Sequence, residues 1–394
     1  MKVLAVAVTV IAIVPVLTAG AQAPSTPPLR LPSLPGYHTL KGDFHLHTVF
    51  SDGQVWPSFR VTEAVRDGLD FIAITDHIDY QGAPNQAERD YNKPHDIAVA
   101  AVGRSKLIVL KGAEISPRTP PYHANAIFLQ DVNALPIDYM ADTKGRFVMK
   151  PSPTKEEMFG PFVEAKRQGA FIVYNHPAYF YDWVRKNLGP DLFTPLHREL
   201  LAGGMLHGIE VVNGDQYYVK AHRIAMEQNL TLIGGSDEHT DIAGAYVNRH
   251  RPMTLVFSRD STAAGIKEAL FARRTIVYQG DHLIGRKAEL EPFFKAALEV
   301  TVDTARRYHE PIAEVRIRNL SSIPFSLKVG GRYDLDNLPG RRTILAPGGT
   351  TTVAIRTLWE YPEKIDFELE VENLLAGPDE TLKTSFEVKP PWNR

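Results

Sequence analysis

The chain has 394 residues and no cysteine, with 44 lysines and arginines against 46 aspartates and glutamates. A formal net charge of -2 gives no global basic field, so the composition does not indicate binding to nucleic acid or attraction to a membrane surface. Without disulfides the fold must be stabilised by an apolar core, and the length alone predicts two domains.

The N-terminus predicts an export signal over residues 1–23. Lys2 precedes an apolar run over residues 3–17, and Ala21-Gln22-Ala23 is the small-residue pattern at which signal peptidase cleaves. The run is shorter than the roughly 20 residues that span a bilayer, so no stable membrane anchor is expected. Residues 24–39 are rich in proline and predict an extended linker. We therefore expect a protein of the periplasm or the extracellular space.

A first domain is predicted over residues 40–273, where short apolar runs alternate with amphipathic segments. The predicted strands cover residues 43–47, 71–75, 107–114, 126–129, 171–174, 209–212, 230–233 and 253–257, and the predicted helices cover residues 57–67, 95–104, 154–168 and 216–228. This alternation predicts parallel βα units, in an open sheet or a barrel. Histidines and carboxylates follow at least five of the strands, and such strand ends converge only at the mouth of a barrel, so a barrel is favoured.

A second domain is predicted over residues 299–394, after a bridging segment at 274–298. Short stretches at 314–317, 325–329, 350–356, 365–371 and 384–388 alternate apolar with polar residues, and glycine and proline separate them. This pattern predicts a small antiparallel β-sandwich. An exposed edge strand in such a sheet offers a surface to a second copy, so the sequence leaves a homo-oligomer open.

Six of the fourteen histidines occur in five short clusters with acidic or polar residues. The clusters are His45-Leu46-His47 with Ser51-Asp52-Gly53, Thr75-Asp76-His77, Glu114 with His123, Asn175-His176-Pro177, and Gly235-Ser236-Asp237-Glu238-His239. Residues two apart on a strand share a face, so Asp43, His45 and His47 are expected to point together. Asp237 and His239 have the same spacing. Imidazole with carboxylate, and no thiolate, is the ligand set of a hydrolytic cluster of zinc, manganese or iron.

In their order these clusters resemble the motifs of the PHP (polymerase and histidinol phosphatase) family, over about residues 40–260. The resemblance implies an α/β fold, a distorted (β/α)7 barrel, that binds two or three divalent metal ions and hydrolyses phosphoesters. It assigns the first metal to His45, His47, Glu114 and Asp237, the second to Glu114, His123 and His176, and the third to Asp52, His77 and His239. Manganese, zinc and iron all suit such ligands.

The resemblance also implies a mechanism. Glu114, Asp237 and His176 would act through a metal-bridging hydroxide, which the cations generate near neutral pH and which attacks the phosphorus atom. The cations would also neutralise the charge that develops on the phosphoryl oxygens. Arg118 and Tyr179, which lie in loops that follow the ligands, are candidates for contacting the anion or protonating the leaving group.

The loops near the ligands are rich in aromatic residues and contain few basic ones. The aromatic residues are Phe50, Trp56, Tyr80, Tyr122, Tyr179, Phe180, Tyr181, Trp183, Tyr217 and Tyr218, and the basic ones are chiefly Arg118 and Arg185. An apolar mouth suits a diester with a hydrophobic substituent better than a dianionic sugar phosphate. The whole chain also resembles secreted bacterial PHP-type phosphodiesterases. We therefore predict an exported hydrolase of small organic phosphodiesters, with a small-molecule substrate and no nucleic-acid partner.

Two other functions remain open at this stage. The first is a phosphomonoesterase on the same scaffold, acting on a nucleotide or sugar phosphate. The second is a non-catalytic, metal-stabilised binding protein whose C-terminal sandwich recognises a glycan or a partner. The complete set of ligand residues favours an enzyme.

Overall fold

The computed structural model describes residues 29–80, 90–143, 146–177 and 192–392. The predicted export signal lies outside these residues. Within the described ranges, no helix is long and apolar enough to cross a membrane.

The first part of the chain alternates strands and helices. Its strands are β1 (His38–Asp43), β2 (Phe71–Ile74), β3 (Ile108–Ile115), β4 (Ala124–Ile127), β5 (Met140–Thr143), β6 (Arg146–Met149), β7 (Phe171–Tyr174), β8 (Gly208–Asn213), β9 (Gln216–Tyr217), β10 (Thr231–Gly235), β11 (Met253–Ser258), β12 (Thr275–Gln279) and β13 (His282–Gly285). Its helices are α1 (Pro57–Arg66), α2 (Lys93–Ala101), α3 (Lys155–Arg167), α4 (Pro195–Ala202), α5 (Val219–Glu227), α6 (Ile242–Ala245), α7 (Ala263–Phe271) and α8 (Lys287–Ala296).

Seven strands frame one end of this domain, in the order β1-β2-β3-β4-β7-β8-β10. Neighbours pair in parallel, except that β4 runs antiparallel to both β3 and β7. The series closes just beyond its strand ends, where Asp237 N donates to His45 O at 3.0 Å and His47 N donates to Glu238 O at 3.3 Å. From His38 to Gly42, β1 does not pair with β10 but pairs antiparallel with β11. The first domain is thus the predicted α/β fold, with a distorted ring of strands.

The local sequence explains where these elements begin and end. The strands β2 (FIAI) and β7 (FIVY) are buried at every position, because helices cover one face and the interior of the ring covers the other. Helix α3 begins at a capping box formed by Thr154 and Glu157. Each central strand ends where apolar sequence gives way to polar residues, and this places polar side chains just beyond the strand ends.

Several predicted boundaries differ from the observed ones, and two of these differences have an identifiable cause. The strand predicted over 43–47 is β1 at His38–Asp43, and Leu46 beyond it forms only an isolated parallel bridge with Glu238. The helix predicted over 216–228 begins later, at Val219, because Tyr217 pairs back onto Val212 in a short antiparallel ladder. That pairing is a tertiary contact, which periodicity along the chain does not reveal.

The second domain is an antiparallel sandwich, as predicted. Its strands are β14 (Leu298–Arg307), β15 (Glu310–Asn319), β16 (Phe325–Val329), β17 (Asp334–Leu335), β18 (Arg342–Leu345), β19 (Thr350–Arg356), β20 (Ile365–Gly377) and β21 (Glu380–Val388). One sheet has the order β14-β15-β19-β17, and the other contains β18, β16, β20 and β21. Alternate residues such as Val315, Ile317, Phe367 and Leu369 are buried between the sheets.

The two domains share a sheet. Strand β20 pairs in parallel with β13, with Leu283 opposite Leu374 and Ile284 opposite Leu375, so that one sheet of 15 strands runs through both domains. The described part of the predicted linker lies along the second domain, where Arg30 N donates to Ser322 Oγ at 2.9 Å. The bridging segment predicted at 274–298 supplies β12, β13 and α8.

Candidate metal centre

Nine histidine, aspartate and glutamate side chains converge where the ring of strands closes. They are His45, His47 and Asp52 after β1, His77 after β2, Glu114 near the end of β3, His123 before β4, His176 after β7, and Asp237 and His239 after β10. Strand β4 runs opposite to its neighbours, so its beginning lies where the parallel strands finish. This is why His123 precedes its strand, whereas the other ligands lie at or beyond a strand's end.

The first group of donors surrounds one carboxylate oxygen of Asp237. The Nε2 atoms of His45 and His47 lie 3.1 Å apart, and they lie 3.1 Å and 3.0 Å from Asp237 Oδ1. Glu114 Oε2 is 3.6 Å from His45 Nε2 and 3.4 Å from His47 Nε2. The four side chains that the resemblance assigns to the first metal therefore face one small volume.

The second group surrounds the other oxygen of Glu114. Its Oε1 lies 3.1 Å from His123 Nδ1 and 3.3 Å from His176 Nε2, and it accepts a hydrogen bond from Asn175 Nδ2 at 2.8 Å. Because Oε2 faces the first group and Oε1 faces the second, Glu114 has the position of a bridging carboxylate.

The third group is the most open to solvent. Asp52 Oδ1 lies 3.1 Å from His239 Nε2, and Asp52 Oδ2 lies 3.5 Å from His77 Nε2. The side chains of Asp52 and His239 are 35% and 34% exposed, whereas that of His47, which stacks on His239 with ring centroids 4.2 Å apart, is 0% exposed. Access from solvent is therefore over Asp52 and His239.

The donor set fits divalent cations. Glu114 Oε2 is buried and accepts no well-aligned hydrogen bond from the described residues, although nitrogens of His45, His47 and His77 lie 3.6, 3.4 and 3.0 Å from it. A buried carboxylate oxygen without a partner is unfavourable, and a cation held between it and the imidazoles would supply the missing interaction. Histidine and carboxylate without thiolate suit zinc, manganese and iron.

The side chains of the cluster polarise one another. Burial alone would raise the pKa of Glu114, but the imidazoles of His77 and His45 lower it well below its usual range. Burial alone would lower the pKa of His77, but the Glu114 carboxylate raises it to about 10. Likewise, the Asp237 carboxylate more than offsets burial and raises the pKa of His45 well above its ordinary value. Without a metal, ionised carboxylates therefore hold protons on the imidazoles of His45 and His77, at positions that a divalent cation would take.

One solved structure resembles nearly the whole chain. A two-domain protein from Bacteroides vulgatus ATCC 8482, which contains a predicted PHP-like metal-dependent phosphoesterase, is 35% identical to it, with a TM-score of 0.79. The match covers 93% of this chain and 100% of that protein. This chain belongs to the PHP-like metal-dependent phosphoesterases.

Other comparisons cover parts of the phosphoesterase. A family model of an Ig-like domain matches residues 298–387, which begins at the first residue of β14 and ends one residue before the end of β21. A protein from Bifidobacterium adolescentis assigned as a metal-dependent phosphoesterase is 20% identical, over 50% of this chain and 87% of that one, with a TM-score of 0.36. An amidohydrolase from Chromobacterium violaceum with bound sulfate is 18% identical over the same shares, with a TM-score of 0.37. No curated protein matches the chain.

The backbone of the phosphoesterase is strained at two ligands. His176 and Asp237 have φ angles of 26° and 52°, in a region that side-chain-bearing residues rarely adopt and that is enriched at functional sites. Beside them, a Cβ on Gly235 would lie 2.7 Å from His45 Cβ and 3.0 Å from Glu210 Oε1. Only glycine therefore lets β10 approach the end of β1 so closely.

Arg60 on α1 holds two ligand-bearing loops, a role that the sequence motifs did not predict. Its Nε donates to His47 O at 2.9 Å, its Nη2 to Glu238 O at 2.7 Å and its Nη1 to Thr240 O at 2.7 Å. The residue is fully buried. A lone arginine in an amphipathic helix is normally a surface residue, so the sequence contains no signal for this role.

Glu210 on β8 was also missed. Its Oε1 lies 2.8 Å from His45 Nδ1, which leaves His45 Nε2 to face the cluster. Its Oε2 accepts from His176 N at 2.8 Å and from Asn213 Nδ2 at 3.0 Å, and Asn213 Nδ2 lies 3.2 Å from Asp237 Oδ2. A glutamate inside the apolar strand GIEVVN was the available signal, because a buried charge needs a partner.

Two acidic residues near the motifs lie behind the ligands. Asp76 accepts from Thr48 N at 2.7 Å and from Ser51 Oγ at 2.6 Å, and so orders the loop after His47. Asp43 was expected to point with the histidines, but its carboxylate accepts from Ser236 Oγ at 2.6 Å. The reason is that the strand ends at Asp43, so the two-residue alternation does not continue beyond it.

The two residues predicted to contact substrate are not seen with the cluster. Arg118 is exposed in the loop between β3 and β4, and within the described residues it forms no ion pair with Asp52, Glu114 or Asp237. Tyr179 lies outside the described residues. Both roles stay predictions.

Proposed function

We propose that this PHP-like phosphoesterase is an exported hydrolase that cleaves small organic phosphodiesters, using two or three divalent cations held by the nine side chains. The observation that carries the proposal is that the two oxygens of buried Glu114 face separate groups of imidazoles. When bound, the cations would supply a water nucleophile near neutral pH and neutralise charge on the phosphoryl group. The export signal predicted over residues 1–23 supports export.

The exposure of the groups supports a direction for substrate entry. His45, His47 and Glu114 are completely buried, whereas Asp52 and His239 are about one-third exposed. A phosphoester would therefore approach over the third group, with its phosphoryl oxygens directed toward the cations that Glu114 and the imidazoles would hold. The hydrogen bonds of Glu210 and Asn213 keep His45 and Asp237 in place while the ester is bound.

The surroundings support a diester over a monoester. Trp56 and Tyr80 are 51% and 48% exposed, Phe50 packs edge-on against Trp56, and the ring of Tyr80 lies edge-on 6.5 Å from that of His77. Among the described residues, no lysine or arginine forms an ion pair with the carboxylates of Asp52, Glu114 or Asp237. A monoester's second negative charge would lack a fixed cationic side chain, whereas an apolar diester substituent would meet exposed aromatic rings.

The test is a comparison of kcat/KM on bis(p-nitrophenyl) phosphate and on p-nitrophenyl phosphate, with manganese-loaded protein. We expect a preference for the diester, and we expect Asp237→Asn to abolish it while Asp260→Asn, at an exposed position outside the centre, leaves it unchanged. A preference for the monoester would identify a phosphomonoesterase instead. Metal-replete protein inert on both esters would favour a binding protein. Export is checked separately by fractionation and N-terminal sequencing, which should find cleavage after residue 23.

A further inference from the structure

A buried polar chain lies behind His77 and belongs to none of the three donor groups. Ser116 Oγ is 2.7 Å from His77 Nδ1, the Ser116 hydroxyl makes a short bond to Asp79 Oδ1, and the Tyr139 hydroxyl donates to Asp79 Oδ2 at 3.0 Å. Asp79, Ser116 and Tyr139 are 6%, 8% and 0% exposed. Three connected polar side chains at such depth are favourable only if their donors and acceptors all match.

Only one arrangement of hydrogens satisfies all the donors and acceptors of this chain of side chains. The hydroxyls of Tyr139 and Ser116 both donate to the carboxylate oxygens of Asp79. Ser116 has a single proton, and once that proton points at Asp79 the oxygen can only accept from His77. His77 Nδ1 must therefore carry hydrogen. Glu114 Oε2, which lies 3.0 Å from the same nitrogen, is likewise only an acceptor.

This assignment decides which nitrogen of His77 is free to bind a cation. The His77 imidazole can form a donor group with Glu114 and His123, and its Nδ1 lies 3.0 Å from Glu114 Oε2. Its Nε2 lies 3.5 Å from Asp52 Oδ2, in the group with His239. With hydrogen on Nδ1, only Nε2 offers a lone pair. His77 is thereby excluded from the bridged pair around Glu114 and directed to the exposed group.

We infer that Tyr139, Asp79 and Ser116 are positioning residues that set the tautomer of His77 and so create the third cation site. The inference rests on the proposed metal centre. Tyr139 lies between β4 and β7, outside every ligand motif. A segment distant in sequence from the third group of ligands therefore supports the cation site nearest to solvent. Without this support His77 could present either nitrogen, and the exposed site would lose one of its three donors in part of the molecules.

The decisive variant is Asp79→Asn. An asparagine amide can donate to Ser116 Oγ, which can then donate to His77 Nδ1, so part of the molecules adopt the tautomer with hydrogen on Nε2, whose lone pair faces away from Asp52. We expect one cation to bind roughly 10-fold to 100-fold more weakly, as is typical when a hydrogen-bond partner of a ligand is lost, while the other cations bind as in the wild type. Ser116→Ala should weaken the same cation, and Ser258→Ala, at another buried and hydrogen-bonded serine far from the centre, is the matched control.

Two measurements give the answer without using turnover. Equilibrium dialysis against manganese counts bound ions, and long-range ¹H–¹⁵N spectra of zinc-loaded, histidine-labelled protein report the tautomer of His77, assigned with His77→Gln. Loss of one ion together with a switched His77 tautomer in Asp79→Asn supports the inference. Unchanged ion binding in both Asp79→Asn and Ser116→Ala overturns it, and so does an equal loss of affinity for every ion. It is also overturned if Asp52→Asn binds as many ions as the wild type, because the third cation site would then not exist. A wild type that binds cations but cleaves neither ester would contradict the proposed function and leave this test intact.

Discussion

Replacing Arg60 by methionine removes four hydrogen bonds from the closed end of the strand ring. Three of the bonds go to the carbonyls of His47, Glu238 and Thr240, and one goes to Glu63 Oε2 at 2.8 Å. Breaking a buried ion pair by removing one partner costs about 3–5 kcal/mol. Burial already raises the pKa of Glu63, so this carboxyl would take up a proton in the variant and keep that part of the cost near about 3 kcal/mol. The orphaned carbonyls of His47 and Glu238 add about 1 kcal/mol each, whereas Thr240 is exposed and water can replace its lost hydrogen bond, which brings the expected loss to about 5 kcal/mol.

Denaturant unfolding of the metal-free protein, followed by circular dichroism, measures this loss in the transition of the first domain. The double variant Arg60→Met/Glu63→Gln should lose only about 2–3 kcal/mol, because no carboxyl is then left without a partner. Manganese affinity should fall in both variants, since the two ligand-bearing loops lose their common anchor. An Arg60→Met protein within about 1 kcal/mol of the wild type and with unchanged manganese affinity would show that other contacts hold the loops.

Three further predictions concern the cations directly. Glu114→Gln should lower hydrolysis by roughly 1,000-fold or more and reduce the number of bound ions, because an amide cannot bridge two cations; atomic emission and kcat/KM measure this, and full ion occupancy would contradict it. The pKa of His45 is raised well above its ordinary value and that of His77 is raised to about 10, so each of the two side chains carries an extra proton at pH 7. Metal affinity should therefore rise with pH, and metal binding at pH 7 should release about two protons. Calorimetry in buffers of different ionisation enthalpy counts these protons, and release of less than one would refute the charge assignment. Gly235→Ala should displace His45 and weaken manganese binding at least about tenfold, whereas Gly244→Ala, where the nearest neighbouring atom would lie 4.0 Å from a Cβ, should not.

The central strands could be predicted from the sequence because both of their faces are buried. A strand covered on both sides is a continuous apolar run, so the prediction for 171–174 coincides with β7, and the prediction for 71–75 ends one residue beyond β2. Edge strands behave differently. Strand β14 (LEVTVDTARR) was not predicted, since its residues are half-buried or exposed and include several charges, which is typical of a sheet edge.

The residues alone predicted a ligand only where it stands close to other ligands in the sequence. His45 and His47 stand together in the sequence, but nothing in the spacing of His123 relates it to Glu114, and only the family resemblance assigned it. Its position depends on the reversed direction of β4, which is a property of the sheet and not of the local sequence. The roles of Arg60 and Glu210 could not be predicted from the sequence, because they consist of contacts with loops up to 180 residues away.

The parallel pairing of β13 with β20 affects any truncated form of this enzyme that lacks the second domain. Removal of the Ig-like domain would leave the edge of β13 that pairs with β20 without a partner, while β12 would still pair with its other edge. It would also uncover part of Leu283, which is 0% accessible in the intact chain and packs in a cluster with apolar residues of the second domain. An open, apolar strand edge of this kind recruits other polypeptides. The C-terminal domain thus covers a strand edge at which two catalytic fragments could pair, and we expect such a fragment to stay monomeric only if a charged residue or a proline is built into β13.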